Sequence, residues 1–337
     1  MKFFPNKTVT FNLLILPIIL ALFMSCSDDE SKFPFGSKVG EVNISASTKD
    51  TIVDVLVDNT RIPIYLSIPE GCPDVSFPAV VVLHGSGGMW KNDDPLSKTL
   101  SSQFSEWRDL LAQNCIVGAF VDSYSGRGVS SRTGKWTKAP NNFRISAQFV
   151  RPKDANAALE LLQKLKYADE TSVIRPTDIG ILGFSDGATA LAATLYDTDK
   201  TPNDWKWTQS FDGKDYTTSS GVMPPVPKPT EGFAGGVFYY GGSSGYGYWG
   251  TNPCNEDAME ENIYFPYAPI LYQIPEEGYL TENTLCMCGI LESKGASIQL
   301  HLYKNVGHGF DMDNVSQSYE ARENTIAWFK ELLHMNE

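Results

Sequence analysis

Histidine is scarce in this sequence: only His84, His301, His308 and His334 occur in 337 residues. They are scattered, no cysteine pair has C-x-x-C spacing, and Cys286-Met287-Cys288 is too tight, so the usual zinc frameworks are excluded and no metal is expected. Basic residues are in the minority, 27 Lys and Arg against 40 Asp and Glu, and form no cluster. A net charge of -13 repels nucleic acid and anionic membrane surfaces. There is no G-x-x-x-x-G-K-[ST] loop and no full dinucleotide fingerprint, so neither a nucleotide nor another cofactor is expected. Internal repeats are missing, and Leu13 to Met24 is too short to make a good membrane span.

That run follows a basic start at Lys2 and Lys7 and is closed by Ser25-Cys26, the order of a secretory signal over residues 1–26. Its removal would move the charge from -13 to -15, since it carries two lysines and no acid. The cysteine at the cleavage point resembles the lipobox of bacterial lipoproteins. The resemblance implies acylation of Cys26, membrane attachment through that anchor, and a place in the cell envelope or on the cell surface. Ser27-Asp28-Asp29-Glu30 resembles the acidic tag of surface-exported lipoproteins. Residues 27–45 are polar and suit a tether, leaving 46–337 as a single domain. Cys72, Cys115, Cys254, Cys286 and Cys288 follow Cys26. Export permits disulfides, and an odd number leaves at least one thiol free.

Within the domain, Thr51 to Val57 and Ile62 to Ile68 alternate apolar with polar residues around a turn at Asp58 to Arg61, which predicts a hairpin. Ala79 to Leu83 is apolar on both faces, as a central parallel strand requires, and it ends at His84-Gly85-Ser86-Gly87-Gly88. Leu100, Phe104, Trp107 and Leu111 predict a helix over 96–113, and Ile116 to Val121 a strand that ends at Asp122. A helix around 155–165 precedes the strand Ile179 to Leu182. Residues 197–231 break the pattern with Trp205, Trp207, Pro224, Pro225, Pro227 and Pro229, and read as an irregular insertion, a lid or binding loop. Strands return at 235–239, 268–274 and 297–303, and Ile326, Phe329 and Leu333 stripe a last helix. The alternation implies an α/β class: a doubly wound, mostly parallel sheet flanked by helices.

Three strand ends on one rim carry the chemistry. Gly183-Phe184-Ser185-Asp186-Gly187 is a G-x-S-x-G turn between strand and helix, which lifts Ser185 off the sheet edge as a nucleophile. A serine needs a base. His84 belongs to a turn, His301 lies in a strand and His334 near the terminus, which leaves His308 in Gly307-His308-Gly309-Phe310. The orienting acid should follow the strand before the histidine strand: Glu277 is the first choice, Glu276 the alternative, with Glu282 and Asp122 behind them. The amides of Asp186 and Ser86 are the expected oxyanion donors. Tyr124, Tyr239, Tyr240, Tyr246, Tyr248 and Trp249 are candidate pocket aromatics, with Tyr124 and Tyr240 assigned to substrate.

These residues, together with the Asp122 to Gly128 loop, resemble the dienelactone hydrolase-like branch of the α/β-hydrolase superfamily over roughly 78–333. The resemblance implies an α/β-hydrolase fold and a nucleophile, histidine and acid triad without a cofactor. Two departures stand out. The true dienelactone hydrolases carry a cysteine where this chain has Ser185, and their G-x-x-D acid frame reads Pro275-Glu276-Glu277-Gly278 here, with Gly278 in the acid's place. The expected function is an exported serine hydrolase that cleaves carboxylic esters, small or glycan-linked, through an acyl-enzyme. A glycan or plant-material acyl esterase suits a cell surface. The rivals are a peptidase or amidase on the same fold, and a non-catalytic surface binding lipoprotein on a hydrolase scaffold.

Overall fold

The β-branched and alternating stretches near the front of the domain pair as their pattern requires. The computed structural model describes residues 37–40, 42–74, 76–242, 246–250 and 262–335; Cys26, the signal segment, the acidic run after it and Cys254 lie outside them. Strand β1 (Ser37–Lys38) and β2 (Val42–Ile44) come first, then the hairpin β3 (Asp50–Val57) and β4 (Thr60–Ser67). Asp58 and Asn59 turn the hairpin at φ 47° and 62°, the paired left-handed residues of a tight two-residue turn. The tether expectation for 27–45 therefore fails over its second half: β1 pairs with β3, and β2 pairs with a later strand. Burial of Val39 and Ile44 supplies the apolar contacts that hold this segment down.

Strand β5 (Phe77–Leu83) is buried at every position, and α1 (Ser102–Gln113) packs Phe104, Trp107 and Leu111 inward. The helix starts later than the predicted residue 96. Leu96 is exposed, and Lys98 stands in the left-handed region at φ 51°, which ends the preceding turn before α1 can begin. Next come β6 (Val117–Val121), α2 (Arg151–Lys164), β7 (Leu165–Tyr167), β8 (Ile174–Phe184) and α3 (Asp186–Thr194). The insertion is not irregular throughout. It contains the hairpin β9 (Thr208–Phe211) and β10 (Lys214–Thr217), turned by Asp212-Gly213, a D-G pair whose hairpin signal stood in the sequence. Its Trp207 packs on Tyr248 and its Tyr216 on Phe143. The chain finishes with β11 (Gly236–Tyr239), the single turn α4 (Tyr246–Trp249), β12 (Ile270–Pro275), α5 (Thr281–Ser293), β13 (Ile298–Tyr303) and α6 (Ser316–Leu332). Helix α5 escapes a pattern reading, because its apolar residues do not gather on one side.

Nine strands form the main sheet in the order β1-β3-β4-β6-β5-β8-β11-β12-β13. From β6 onward every neighbouring pair is parallel, while β1, β3 and β4 are antiparallel. Along β5, Ala79, Val81 and Leu83 enter the core under α2 and α3, and Val80 and Val82 the core under α1 and α6. After β5 the chain moves outward to β6 and then returns to β8 on the other side, so the winding direction switches between β5 and β8. In open α/β sheets the crevice at such a switch, beyond the strand ends, is where ligands bind. Among the described residues no helix is long and apolar enough to cross a membrane, and no cluster of His, Cys, Asp and Glu could hold a metal ion.

Cys72 and Cys115 form a disulfide that ties the segment after β4 to the start of β6. Cys286 is also disulfide-bonded, and Cys288 is a buried free thiol.

Candidate active site

Strand β8 runs into α3 without a loop, and the junction residue bears the strain. Ser185 sits at φ 53° and ψ -116°, a conformation costing a non-glycine residue on the order of 1–3 kcal/mol. The turn closes because its flanks have no side chains: a Cβ on Gly187 would lie 2.2 Å from the Leu83 carbonyl oxygen, and one on Gly183 2.4 Å from that of Gly187. Close packing of β5, β8 and α3 thus holds the Ser185 side chain at the β5/β8 switch.

His308 reaches it from the far end of the chain. Its Nε2 lies 2.9 Å from Ser185 Oγ, across 123 residues of sequence. Burial lowers the His308 pKa below the ordinary histidine value, so the imidazole is neutral and able to accept the serine proton near pH 7. The ring is gripped between two tyrosines, Tyr240 edge-on at 4.7 Å and Tyr279 tilted over it at 4.5 Å between centroids. Tyr240 is itself fixed, with a strained φ of 39° and a hydroxyl donated to the buried Asp311 carboxylate. Asp311 also accepts from Gln103 and from Trp107 Nε1, 2.9 Å away. Burial raises its pKa despite these donors.

The expected acid does not arrive. His308 Nδ1 is buried and has no hydrogen-bond partner among the described residues. Glu277 and Glu276 are both exposed: the Glu277 amide is tied to the Val306 carbonyl, and the Glu276 carboxylate accepts from the Asn305 amide. Pinned by these bonds, the loop turns both carboxylates to solvent. Glu282 is exposed on the first turn of α5. Asp122 is consumed by the turn after β6, accepting from Trp90 Nε1 and from the amides of Tyr124 and Ser125. A crevice with no room for a water molecule is lined by His308 together with Pro275, Gly278 and Thr281. Nor could Gly278 take a side chain unaided, because its Cβ would meet Thr281 Oγ1 at 2.7 Å and Pro275 Cγ at 2.9 Å.

The two expected oxyanion donors, Asp186 and Ser86, stand close to Ser185 in the chain or in space. Asp186 opens α3, where the first amides have no intrahelical acceptor and lie at the positive end of the helix dipole. Gly85 packs directly on Ser185, its would-be Cβ 3.4 Å from Ser185 Cβ, which puts the Ser86 turn beside the serine. His84 braces that turn. Its Nδ1–H donates to the Gly85 carbonyl at 2.7 Å, and burial together with the Arg151 charge lowers its pKa to about 4, so the ring stays neutral. The Asp186 carboxylate points into the protein, where Arg151 (2.7 Å) and Arg132 outweigh the effect of burial and hold its pKa below the ordinary value.

Tyr124 does not line a pocket: it is fully buried and its hydroxyl donates to Asp186 at 3.0 Å. Tyr240 is buried as well, and its ring packs edge-on against the imidazole. Tyr239, Tyr248 and Trp249 are core residues, and the Tyr246 side chain lies outside the described residues. Aromatics that must fill the space between sheet and helices are withdrawn from substrate by that packing. The sequence reading missed Tyr279, the exposed aromatic on His308, though its position next to the displaced acid frame was a signal for it.

Neither the protein-family models nor the curated proteins contain a match to this chain. Solved structures do match. A thermophilic esterase from the planctomycete Thermogutta terrifontis superposes with a TM-score of 0.53 at 13% identity, covering 84% of this chain and 92% of that one. The chain adopts the α/β-hydrolase fold. A putative dienelactone hydrolase from Klebsiella pneumoniae gives 0.51 at 15% identity, over 83% and 97% of the two chains. A dienelactone hydrolase-like promiscuous phosphotriesterase from metagenomic libraries gives 0.50 at 13%, over 84% and 98%. In this fold Ser185 and His308 meet at the strand ends, and among the described residues no side chain pairs with His308 Nδ1.

Proposed function

We propose that the chain is a serine hydrolase that cleaves carboxylic esters with a Ser185–His308 pair. The observation that carries this reading is the 2.9 Å contact between His308 Nε2 and Ser185 Oγ at a strained strand-helix turn. Ser185 Oγ attacks the ester carbonyl carbon while its proton passes to His308 Nε2. The Asp186 and Ser86 amides receive the oxyanion, and the proton then goes to the departing alcohol oxygen as the acyl-enzyme forms. Water repeats the sequence to release the acid. With no acceptor for Nδ1 among the described residues, the imidazolium is poorly stabilised, which makes His308 a weak base and a strong acid. Slow acylation compared with complete triads follows. The esterase and dienelactone hydrolase-like neighbours support ester chemistry over peptide cleavage.

Export and lipidation at Cys26 belong to the same proposal, and the Cys72–Cys115 disulfide supports an oxidising compartment. Acyl groups on surface glycans or plant material fit that location. The lack of a carboxylate on His308 Nδ1 among the described residues favours one other reading, a binding protein on a hydrolase scaffold. A fluorophosphonate probe separates the two: labelling that disappears in Ser185→Ala supports the hydrolase, and no labelling of the intact protein refutes it.

A further inference from the structure

We propose that Tyr279 is the leaving-group residue of this site and suits it to esters of sugar-type alcohols, an inference that rests on the serine hydrolase reading. Its side chain is 75% exposed, yet its ring lies on the imidazole of His308 and its hydroxyl is 3.4 Å from Nε2, the nitrogen that also holds Ser185 Oγ. Among the described residues, none of the other exposed large apolar side chains makes a ring or hydrogen-bond contact with either member of the pair. The departing oxygen must come within reach of Nε2 to collect its proton, so a hydroxyl beside that nitrogen is also beside the departing oxygen.

When the intermediate collapses, the bond from carbonyl carbon to alcohol oxygen breaks and its electron pair stays on that oxygen. Nε2 supplies the proton, while the Tyr279 O–H donates a hydrogen bond to the same oxygen and keeps its own proton. Phenolate leaving groups need little of this help; the alkoxide of a sugar hydroxyl needs all of it. The open ring face offers a stacking surface for the carbon skeleton of such an alcohol. With Nδ1 unpartnered among the described residues, leaving-group protonation is also the half of catalysis that His308 performs well.

The test compares wild type, Tyr279→Phe and Tyr279→Ala on p-nitrophenyl acetate and on an acetylated methyl glucoside, with fluorophosphonate labelling of each. Loss of one hydrogen bond to a developing alkoxide is expected to lower kcat/KM for the glucoside ester about tenfold more than for the nitrophenyl ester in Tyr279→Phe. In Tyr279→Ala, KM for the glucoside ester should rise as well. Equal effects on the two esters, or none on either, in a wild type that labels would overturn this role and leave the hydrolase reading standing. A wild type that does not label would overturn both.

Discussion

Replacing Glu277 by Gln tests how the histidine is served. In a complete triad, removing the charge of the acid lowers kcat by about 10⁴-fold, equivalent to about 5.4 kcal/mol of transition-state stabilisation. Glu277 is exposed and its amide is fixed to Val306, while Nδ1 of His308 has no partner among the described residues. Its charge can then act on a transient imidazolium only through water. Even at a separation of about 8 Å, unit charges in water interact by about 0.5 kcal/mol, little more than a twofold effect, and salt reduces it. Glu277→Gln should therefore retain kcat/KM for p-nitrophenyl acetate within about threefold, with Glu276→Gln alike. Ser185→Ala and His308→Ala should each lose at least about 10³-fold. Steady-state rates normalised to the concentration of folded protein provide the measurement. A hundredfold loss in Glu277→Gln would refute the reasoning, because that carboxylate would have to bond Nδ1 during turnover.

Three more outcomes are expected. Since burial lowers the His308 pKa, kcat/KM should rise with pH through a midpoint below the ordinary histidine value of about 6.5; an acid limb centred above it would contradict the burial argument. His84, held neutral with a pKa of about 4, contributes stability that is fully present above about pH 6.5 and lost as pH falls toward 4, by about 3 kcal/mol. Urea midpoints at pH 7 and pH 4.5 should show this loss and His84→Gln should lack it, whereas identical pH slopes would exclude His84 as the source. Breaking the Cys72–Cys115 bridge, which closes 43 residues, with Cys72→Ser should cost about 4 kcal/mol by the chain-entropy account. Unfolding under non-reducing conditions checks it, and an unchanged midpoint would show that the bridge does not restrict the unfolded chain as that account requires.

Much of this molecule was settled by local features that a linear reading can reach. A strand apolar on both faces belongs inside a parallel sheet, as β5 does, and a G-x-S-x-G turn between strand and helix leaves its serine at the sheet edge, as found for Ser185. Four histidines permit elimination, and the one remaining, His308, lies on Ser185. These inferences hold because backbone period and turn chemistry act over a few residues. The third position obeyed no local rule. Whether Glu277 met the imidazole depended on the hydrogen bonds from the Glu276 and Glu277 amides to the Tyr303 and Val306 carbonyls, on Thr281 closing the space at Gly278, and on the direction in which a flexible side chain leaves its loop. Nor could composition tell a core tyrosine from a site tyrosine. Tyr124 and Tyr279 have the same chemistry, and only the packing of distant elements buries one on Asp186 and leaves the other open above His308. Sequence determined which groups could react; tertiary contacts, made across more than a hundred residues, decided which of them meet.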